Sequence, residues 1–357
     1  MTDILPQGAT IGILGGGQLG RMLSVAASRL GYRCHVYDPG ANPPAGDVCA
    51  QVTTAPWDDA AALRAFAASV DVITFEFENI PTATLDLLEA AKPIRPDRRA
   101  LSVSQDRLTE KQFLRDLGLM TAPFLPVSDA ASLTDAVAQI GTPAILKTRR
   151  MGYDGKGQAR IMSAADAPNA LAEVVGAEAI LEGFVHFSHE VSVIAARGLD
   201  GQVAAYDPGE NLHQDGILRQ TTVPARLSGS QRADAVLLAG RILNALDYVG
   251  VMGVELFVTP QGLVVNEIAP RVHNSGHWTQ NGCTVDQFEQ HIRAITGLPL
   301  GDAGRHADVV MENLIGDDMD RVPELLAARD VALHLYGKTE RRAGRKMGHA
   351  NRVVGRG

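Results

Sequence analysis

Cysteine is scarce in this 357-residue chain, with Cys34, Cys49 and Cys283 the whole supply. Odd in number and far apart, they provide neither a disulfide framework nor the paired C-x-x-C spacing of a zinc site, and they read as reduced, semi-buried thiols. No apolar run reaches the roughly 20 residues that a membrane-spanning helix needs. The opening MTDILPQGAT has no basic segment followed by an apolar one, so no signal peptide is expected and a cytoplasmic location is. Positive charge is not in excess, since 33 Lys and Arg stand against 41 Asp and Glu and leave a net charge of −8. That balance argues against a nucleic-acid backbone or an anionic membrane as the main partner. It leaves room for a small phosphorylated substrate held by a few local Lys and Arg. Internal repeats and low-complexity stretches are also lacking. The length exceeds what one hydrophobic core organises, so two or three domains are expected.

What the sequence does contain is alternation. TIGILGGG reads as a strand entering a glycine turn, QLGRMLSVAASRLG as a helix, YRCHVYD as a second strand, DDAAALRAFAAS as a helix, VDVITFEFE as a third strand and TATLDLLEAA as a third helix. Strands and helices in this rhythm imply a parallel sheet covered on both faces, with Pro93 and Pro96 punctuating its exit. SQDRLTEKQFLRDLG follows as one amphipathic helix, then the strand-like PAILKTRR and QARIMS around a glycine-rich loop. EAILEGFV, HEVSVIAARG and QVAAYDP look like strands of antiparallel character. A long helix, SQRADAVLLAGRILNALDY, precedes the hairpin VGVMGVELFVTPQGLVVNEIAP, and the tail from about Asp308 holds several short strands.

Gly15, Gly17 and Gly20 fit G-x-G-x-x-G between a strand and a helix, with Asp38 at the end of the second strand. Two readings compete. One is a dinucleotide site, because a helix N-terminus favours an anion. The other is a close-packed turn that many parallel α/β domains need whatever they bind.

The hairpin says more. With Pro260, Gln261 and Gly262 as its loop, Thr259 faces Leu263 and, counting back, Glu255 faces Glu267. Like charges opposite each other destabilise a ladder, and both sit in apolar strands. Either one stays protonated or a cation lies between them, and oxygen ligands suit Mg²⁺. The competing arrangement is a loop one residue different in length, which moves the pair off register. Lys147 ends the strand AILK, and Gly152 to Gln158 follow as GYDGKGQ, a lysine and a glycine-rich loop suited to nucleotide phosphates. It is not a Walker A sequence. Glu182 and Glu190 fit either nucleotide contacts or solvated strand ends. His186 and His189 have H-x-x-H spacing without a third ligand, so zinc is not expected. His273, Asn274 and Ser275 follow the hairpin closely enough for substrate contact, and His213 reads as part of a polar loop.

GGGQLGRM, FEFENIP, DRLTEKQFL, GYDGKGQ, ENLHQDGIL, GVMGVELFVTPQGLVVNEIAPRVHNSGHWTQNG and GRKMGH, in that order over nearly the entire chain, resemble the ATP-grasp superfamily. Within it, they resemble the N5-carboxyaminoimidazole ribonucleotide synthetase family. The resemblance implies an α/β and α+β molecule with an ATP-grasp fold. Its parts are a Rossmann-like parallel-sheet domain at 1–106, a small lid domain at 107–184, and a large domain with a β-rich tail at 185–357.

The site residues are implied in the same way. Arg107, Lys147 and the loop Gly152, Tyr153, Asp154, Gly155, Lys156, Gly157 and Gln158 would contact the ATP phosphates. Glu182, Gly183, Phe184 and Val185 would hold adenine, Glu190 the ribose, and His213 would lie at the nucleotide site. Glu255 and Glu267 would bind Mg²⁺, or Mn²⁺ in its place, with Asn266 nearby. Tyr153, Asp154 and Lys156 would also approach aminoimidazole ribonucleotide. Arg271, His273, Asn274 and Ser275 would line its pocket, Lys346 would anchor its phosphate, and Gln18 and Glu78 would face it from the N-terminal domain.

The implied chemistry is ATP-dependent carboxylation by bicarbonate through carboxyphosphate, with Asp154 as general base and Lys156 and Arg271 completing the catalytic set. A homodimer is expected. Ala269 departs from many ATP-grasp enzymes, which carry Asn two residues after the second glutamate. The rivals are a formate-dependent glycinamide ribonucleotide transformylase of the same superfamily and, from the glycine turn, a nicotinamide oxidoreductase.

Overall fold

The computed structural model describes residues 4–152, 157–174 and 178–356, organised around three sheets. The first holds β1 (Thr10–Leu14), β2 (Arg33–Asp38), β3 (Gln51–Thr54) and β4 (Val72–Phe75), all parallel, in the order β3-β2-β1-β4. Both faces are apolar, as a doubly covered parallel sheet requires. Ile11, Ile13 and Val36 pack with Leu19 and Leu23 of the helix Gln18–Arg29. Leu14, Tyr37, Ile73 and Phe75 pack with Phe66 and Leu85 from two helices on the opposite side. The edge strand β3 escapes a sequence reading because QVTT is largely exposed and carries no apolar run.

The second sheet is antiparallel and contains β5 (Phe124–Val127), β6 (Ala144–Thr148), β7 (Gln158–Ile161) and β8 (Ala179–Gly183) in the order β5-β8-β6-β7. The helix Ala130–Ile140 covers it through Leu133 and Val137, which pack on Leu146, Ile161 and Leu181. DRLTEKQFLRD forms the expected helix, at Arg107–Asp116, and a second short helix, Arg98–Ser104, precedes it. Asp106 divides them, and its Oδ1 accepts from the Leu108 and Thr109 N–H groups at 3.0 and 3.3 Å, a side-chain cap.

The third sheet is antiparallel and nine-stranded. Its strands are β9 (His189–Arg197), β10 (Val203–Ala205), β11 (Gly209–Gln214), β12 (Ile217–Val223), β13 (Gly250–Thr259), β14 (Gly262–Ala269), β15 (Ala307–Ile315), β16 (Val331–Leu335) and β17 (Lys346–Arg356). The order is β14-β13-β9-β11-β12-β15-β17-β16, with β10 on β9. His213 lies on β11 rather than in a loop, because Asp215 and Gly216, at φ +52° and +77°, make a tight turn that pairs ENLHQ with ILRQTTV. The tail is less fragmented than expected, since β15 and β17 are nine and eleven residues long. No helix among the described residues is long and apolar enough to cross a membrane.

Candidate active site

The glutamate hairpin closes differently from its sequence reading. Thr259 pairs with Gly262, not Leu263, so the loop is the two residues Pro260 and Gln261. The register then shifts between Leu256, which faces Val265, and Glu255, which faces Glu267. Asn266 is the extra residue of a β-bulge, and it restores the pairing that a three-residue loop had been expected to supply. It also changes which side Glu267 occupies. Val254 and Leu256 of β13, with Leu263, Val265 and Ile268 of β14, all enter the core packed by the helix Gly229–Ala245. Side chains alternate along a strand, so an unbulged β14 would send Glu267 into that core after Leu263 and Val265. The bulge turns it to the opposite face, beside Glu255. Gly253 leaves room for His273 there; a methyl group at Gly253 would meet His273 Cβ at 2.8 Å.

Burial, and after it the charge of Glu267, raises the Glu255 carboxyl to about 7. Glu267 moves the other way. Burial opposes its charge, but Arg107, whose Nη1 is 3.1 Å from Glu267 Oε2, and then Lys147 hold it low. Asn266 Nδ2 donates to Glu255 Oε2 at 3.4 Å. Two facing carboxylates, one of them resisting ionisation through burial and then through the charge of the other, form a donor set that a divalent cation fits. Mg²⁺ commonly takes one or two carboxylates and completes its shell with phosphate oxygens and water. Ala269 is buried opposite Gly253 and adds no donor. Among the described residues no cluster of three or more His, Cys, Asp or Glu forms a closed metal site.

On one side of this pair lies a basic cluster. Lys147 Nζ is 2.9 Å and Lys111 Nζ 3.6 Å from Glu182 Oε2. Burial would raise Glu182, but Lys111 and Lys147 pull it down to about 2. This buried, ionised group is no solvated strand end, and its Oε1 has no hydrogen-bond partner among the described residues. Gly183 N–H donates to Pro123 O at 2.8 Å and Phe184 N–H to Pro143 O at 3.1 Å, while Val185 follows at the strand exit. Glu190 Oε2 lies 2.8 Å from His213 Nδ1. Burial opposes the imidazolium, yet Glu190 and then Glu255 raise the His213 pKa. Arg107 Nη2 also reaches Gly152 O at 3.4 Å, and Gly157 O accepts from Thr148 N–H as Gln158 opens β7. Tyr153, Asp154, Gly155 and Lys156 lie outside the described residues.

On the other side, Arg271 Nη2 pairs with Glu78 Oε1 at 2.6 Å, joining the N-terminal unit to the end of the hairpin. Ser192 Oγ donates to Ser275 Oγ at 2.6 Å, and Ser275 Oγ is 2.8 Å from His273 Nδ1. This chain of donors leaves the His273 proton on Nε2, which is 3.5 Å from Glu255 Oε1. Burial, then the charges of Arg271 and Lys346, keep His273 neutral. Both amide atoms of Asn274 are buried without a partner among the described residues, an arrangement that invites a ligand. Lys346 begins β17, and its carbonyl accepts from Lys338 Nζ at 2.8 Å. Gln18 is the first residue of the helix Gln18–Arg29.

The glycine turn is not free for a dinucleotide. Glu76 accepts from Gly17 N–H at 2.8 Å and from Leu19 and Gly20 N–H at 3.1 Å, so its carboxylate occupies the helix N-terminus that a pyrophosphate would need. A Cβ on Gly17 would lie 2.6 Å from Glu76 Oε1. Gly17→Ala is therefore expected to destabilise the fold by about 1–3 kcal/mol, measured by denaturant unfolding. Titration of the wild type with NADH is expected to show no saturable binding.

The sequence reading missed Glu76, Glu110, Lys111 and Lys338. Glu76 carries a signal, as an acid at a strand end beside FEFE, but nothing in one sequence says which acid turns back toward the glycines. Lys338 lies in the basic tail, with burial and then Arg345 lowering its pKa to about 8.

A ribonucleotide synthetase pre-ATP-grasp domain matches residues 8–105, an ATP-grasp domain 112–288, and a phosphoribosylaminoimidazole carboxylase C-terminal domain 309–355. The N5-carboxyaminoimidazole ribonucleotide synthase of Brucella melitensis biotype 1 is 54% identical over 98% of this chain and 97% of its own length. The crystal structure of an N5-carboxyaminoimidazole ribonucleotide synthetase bound to ADP superposes with a TM-score of 0.96 at 42% identity, covering 99% of this chain and 94% of the other. The enzyme from Aspergillus clavatus in complex with ADP and 5-aminoimidazole ribonucleotide gives a TM-score of 0.92 at 32% identity, over 98% and 94%. A shared sequence along almost the full length, the three family domains in order and the superposable fold lead to one conclusion: the chain belongs to the N5-carboxyaminoimidazole ribonucleotide synthetase family.

Proposed function

We propose that this protein is an ATP-dependent ligase of purine biosynthesis. It carboxylates the exocyclic amine of 5-aminoimidazole ribonucleotide with bicarbonate, giving N5-carboxyaminoimidazole ribonucleotide, ADP and phosphate. The observation that carries the reading is the bulged pair Glu255 and Glu267, turned to one face with Arg107 on Glu267 and His273 near Glu255.

In this reading the nucleotide lies on the Lys147 side. The free Glu182 Oε1 receives the adenine amino group. With the Gly183 and Phe184 N–H groups engaged by Pro123 and Pro143, the Val185 N–H is the donor for the ring edge. Glu190 takes the ribose, oriented by His213. Arg107 and Lys147 neutralise phosphate charge, with the loop from Gly152 to Gln158, Asn266 nearby, and Lys111 backing Glu182. Glu255 and Glu267 would hold Mg²⁺, which supplies charge neutralisation at the phosphates.

Bicarbonate is a poor electrophile, so phosphoryl transfer makes carboxyphosphate, for which the protein contributes alignment and charge. Arg271, fixed by Glu78, presents its guanidinium to the carboxyl donor. The unpaired amide of Asn274, with His273 and Ser275, holds the imidazole ribonucleotide. Lys346 and Lys338 hold its phosphate, and Gln18 faces it from the N-terminal unit. Asp154, flanked by Tyr153 and Lys156, takes the amine proton as the carbamate forms.

The division into 1–106, 107–184 and 185–357 belongs to the same reading, as do a cytoplasmic location and a homodimer. For the dimer, exposed Val25 and Leu335, set among Arg21, Arg29 and His334 near the open edge of β16, offer a mixed apolar and polar surface to a second copy. The test is phosphate release from ATP, which should require both bicarbonate and aminoimidazole ribonucleotide. Release supported by formate and glycinamide ribonucleotide instead would assign the rival chemistry.

A further inference from the structure

β14 is the edge strand of its sheet, so the backbone groups on its outer side, around the bulge that turns Glu267 out of the core, have no ladder partners. Buried orphans of this kind are costly. Two consecutive side chains of the helix Arg107–Asp116 meet them. Glu110 Oε1 accepts from the Ile268 N–H at 2.7 Å, and Lys111 Nζ donates to the Asn266 carbonyl at 2.7 Å. Glu110 and Lys111 are 2% and 1% exposed, so water does not compete for either bond. The two contacts bracket Glu267, one on the residue before it and one on the residue after. Further along the same edge, Val265 N–H donates to Met120 O at 2.8 Å, so the strand is covered on both sides of the irregularity.

We infer that Glu110 and Lys111 are positioning residues: they clamp the two peptide groups around Glu267, hold the bulge at Asn266, and so keep the Glu267 carboxylate opposite Glu255. The inference rests on the reading of that pair as an ion site, and it adds what fixes the geometry. Without the clamp, the Asn266 and Ile268 peptides lose their partners and the bulge can migrate along the strand. Any such slip rotates Glu267 toward the apolar face occupied by Val265 and Ile268. Because Lys111 also lies 3.6 Å from Glu182, the same helix ties the adenine end of the site to the acidic pair.

The role asked of Glu110 is that of a hydrogen-bond acceptor at a fixed distance, which glutamine retains and alanine or aspartate does not. Two readouts test it on the full chain: Mn²⁺ binding followed by electron paramagnetic resonance in the presence of ADP, and amide hydrogen exchange over residues 266–269. Glu110→Ala and Glu110→Asp are expected to weaken Mn²⁺ about ten- to a hundredfold, the usual effect of losing a group that orients a ligand. Both should also speed exchange at Ile268 and leave metal-free ADP affinity unchanged. Glu110→Gln should restore both readouts. A folded Glu110→Ala protein with wild-type Mn²⁺ affinity and a protected Ile268 amide would overturn the clamp, as would a Glu110→Gln protein that behaves like alanine. If the alanine variant does not fold, the aspartate and glutamine pair decides in the same terms. Glu267→Gln serves as control. Undiminished Mn²⁺ binding there would remove the ion assignment, while the exchange data would still report on the clamp.

Discussion

Glu267→Gln is expected to reduce ATP turnover by roughly a thousandfold or more while the protein keeps its fold. Loss of several kcal/mol of transition-state charge stabilisation corresponds to a factor of this size. Glutamine preserves shape but removes the charge that Arg107 now balances at 3.1 Å. Phosphate release and thermal unfolding, measured side by side, separate a lost ligand from a lost fold. Near-wild-type turnover in this variant would end the assignment of Glu267.

The wild type carries a pH dependence from the same pair. Burial and the charge of Glu267 raise Glu255 to about 7, well above an ordinary glutamate. A cation needs the ionised form, so Mg²⁺ affinity should fall by about tenfold for each pH unit below that value. The consequence for folding has the opposite sign. A raised carboxyl contributes stability at acid pH, and that contribution is lost as pH climbs through about 7. Mg²⁺ binding favours the ionised state, so the rise in Tm that it produces should be larger at pH 8 than at pH 6. A pH-independent rise would show that Glu255 does not ligate the ion.

Arg271→Met is expected to lower kcat/KM for aminoimidazole ribonucleotide by about a hundredfold or more, with ADP affinity unchanged. Removing one preorganised donor from the place where charge develops costs about 100- to 1000-fold in turnover. The side chains of Arg271 and Glu78 are 19% and 24% exposed, so the lower end applies here. Arg271→Lys should not rescue, because a point charge does not reproduce the guanidinium fork. Steady-state kinetics with each substrate varied in turn, together with ADP titration, check both statements. A loss confined to ATP would move Arg271 to the nucleotide side.

Much of this architecture was legible before any fold was seen, because the signals were local. The alternation from Thr10 to Glu89 announced a parallel sheet, and its strands were apolar enough to be found. The exposed QVTT strand was not, since edge strands need no apolar run. His213 reads as a loop residue because a polar strand ending in Asp-Gly resembles a loop. The sequence predicts the facing of Glu255 and Glu267 from a three-residue loop, whereas the loop has two. The pair survives because Asn266 adds back the residue that the turn lacks.

The sequence alone determined which chemical groups are present and in what order: two acids in an apolar hairpin, a strand lysine before a glycine loop, and a family pattern along the chain. Which of them meet was decided only by tertiary structure. Glu76 rather than a cofactor fills the helix N-terminus, Glu78 finds Arg271 across nearly two hundred residues, and Glu110 and Lys111 grip the bulge from a distant helix. Hydrophobic periodicity is written locally because it sets which face of each element is buried. A hydrogen bond between residues far apart in the chain depends on where packing brings the backbones, and no spacing in the sequence encodes that.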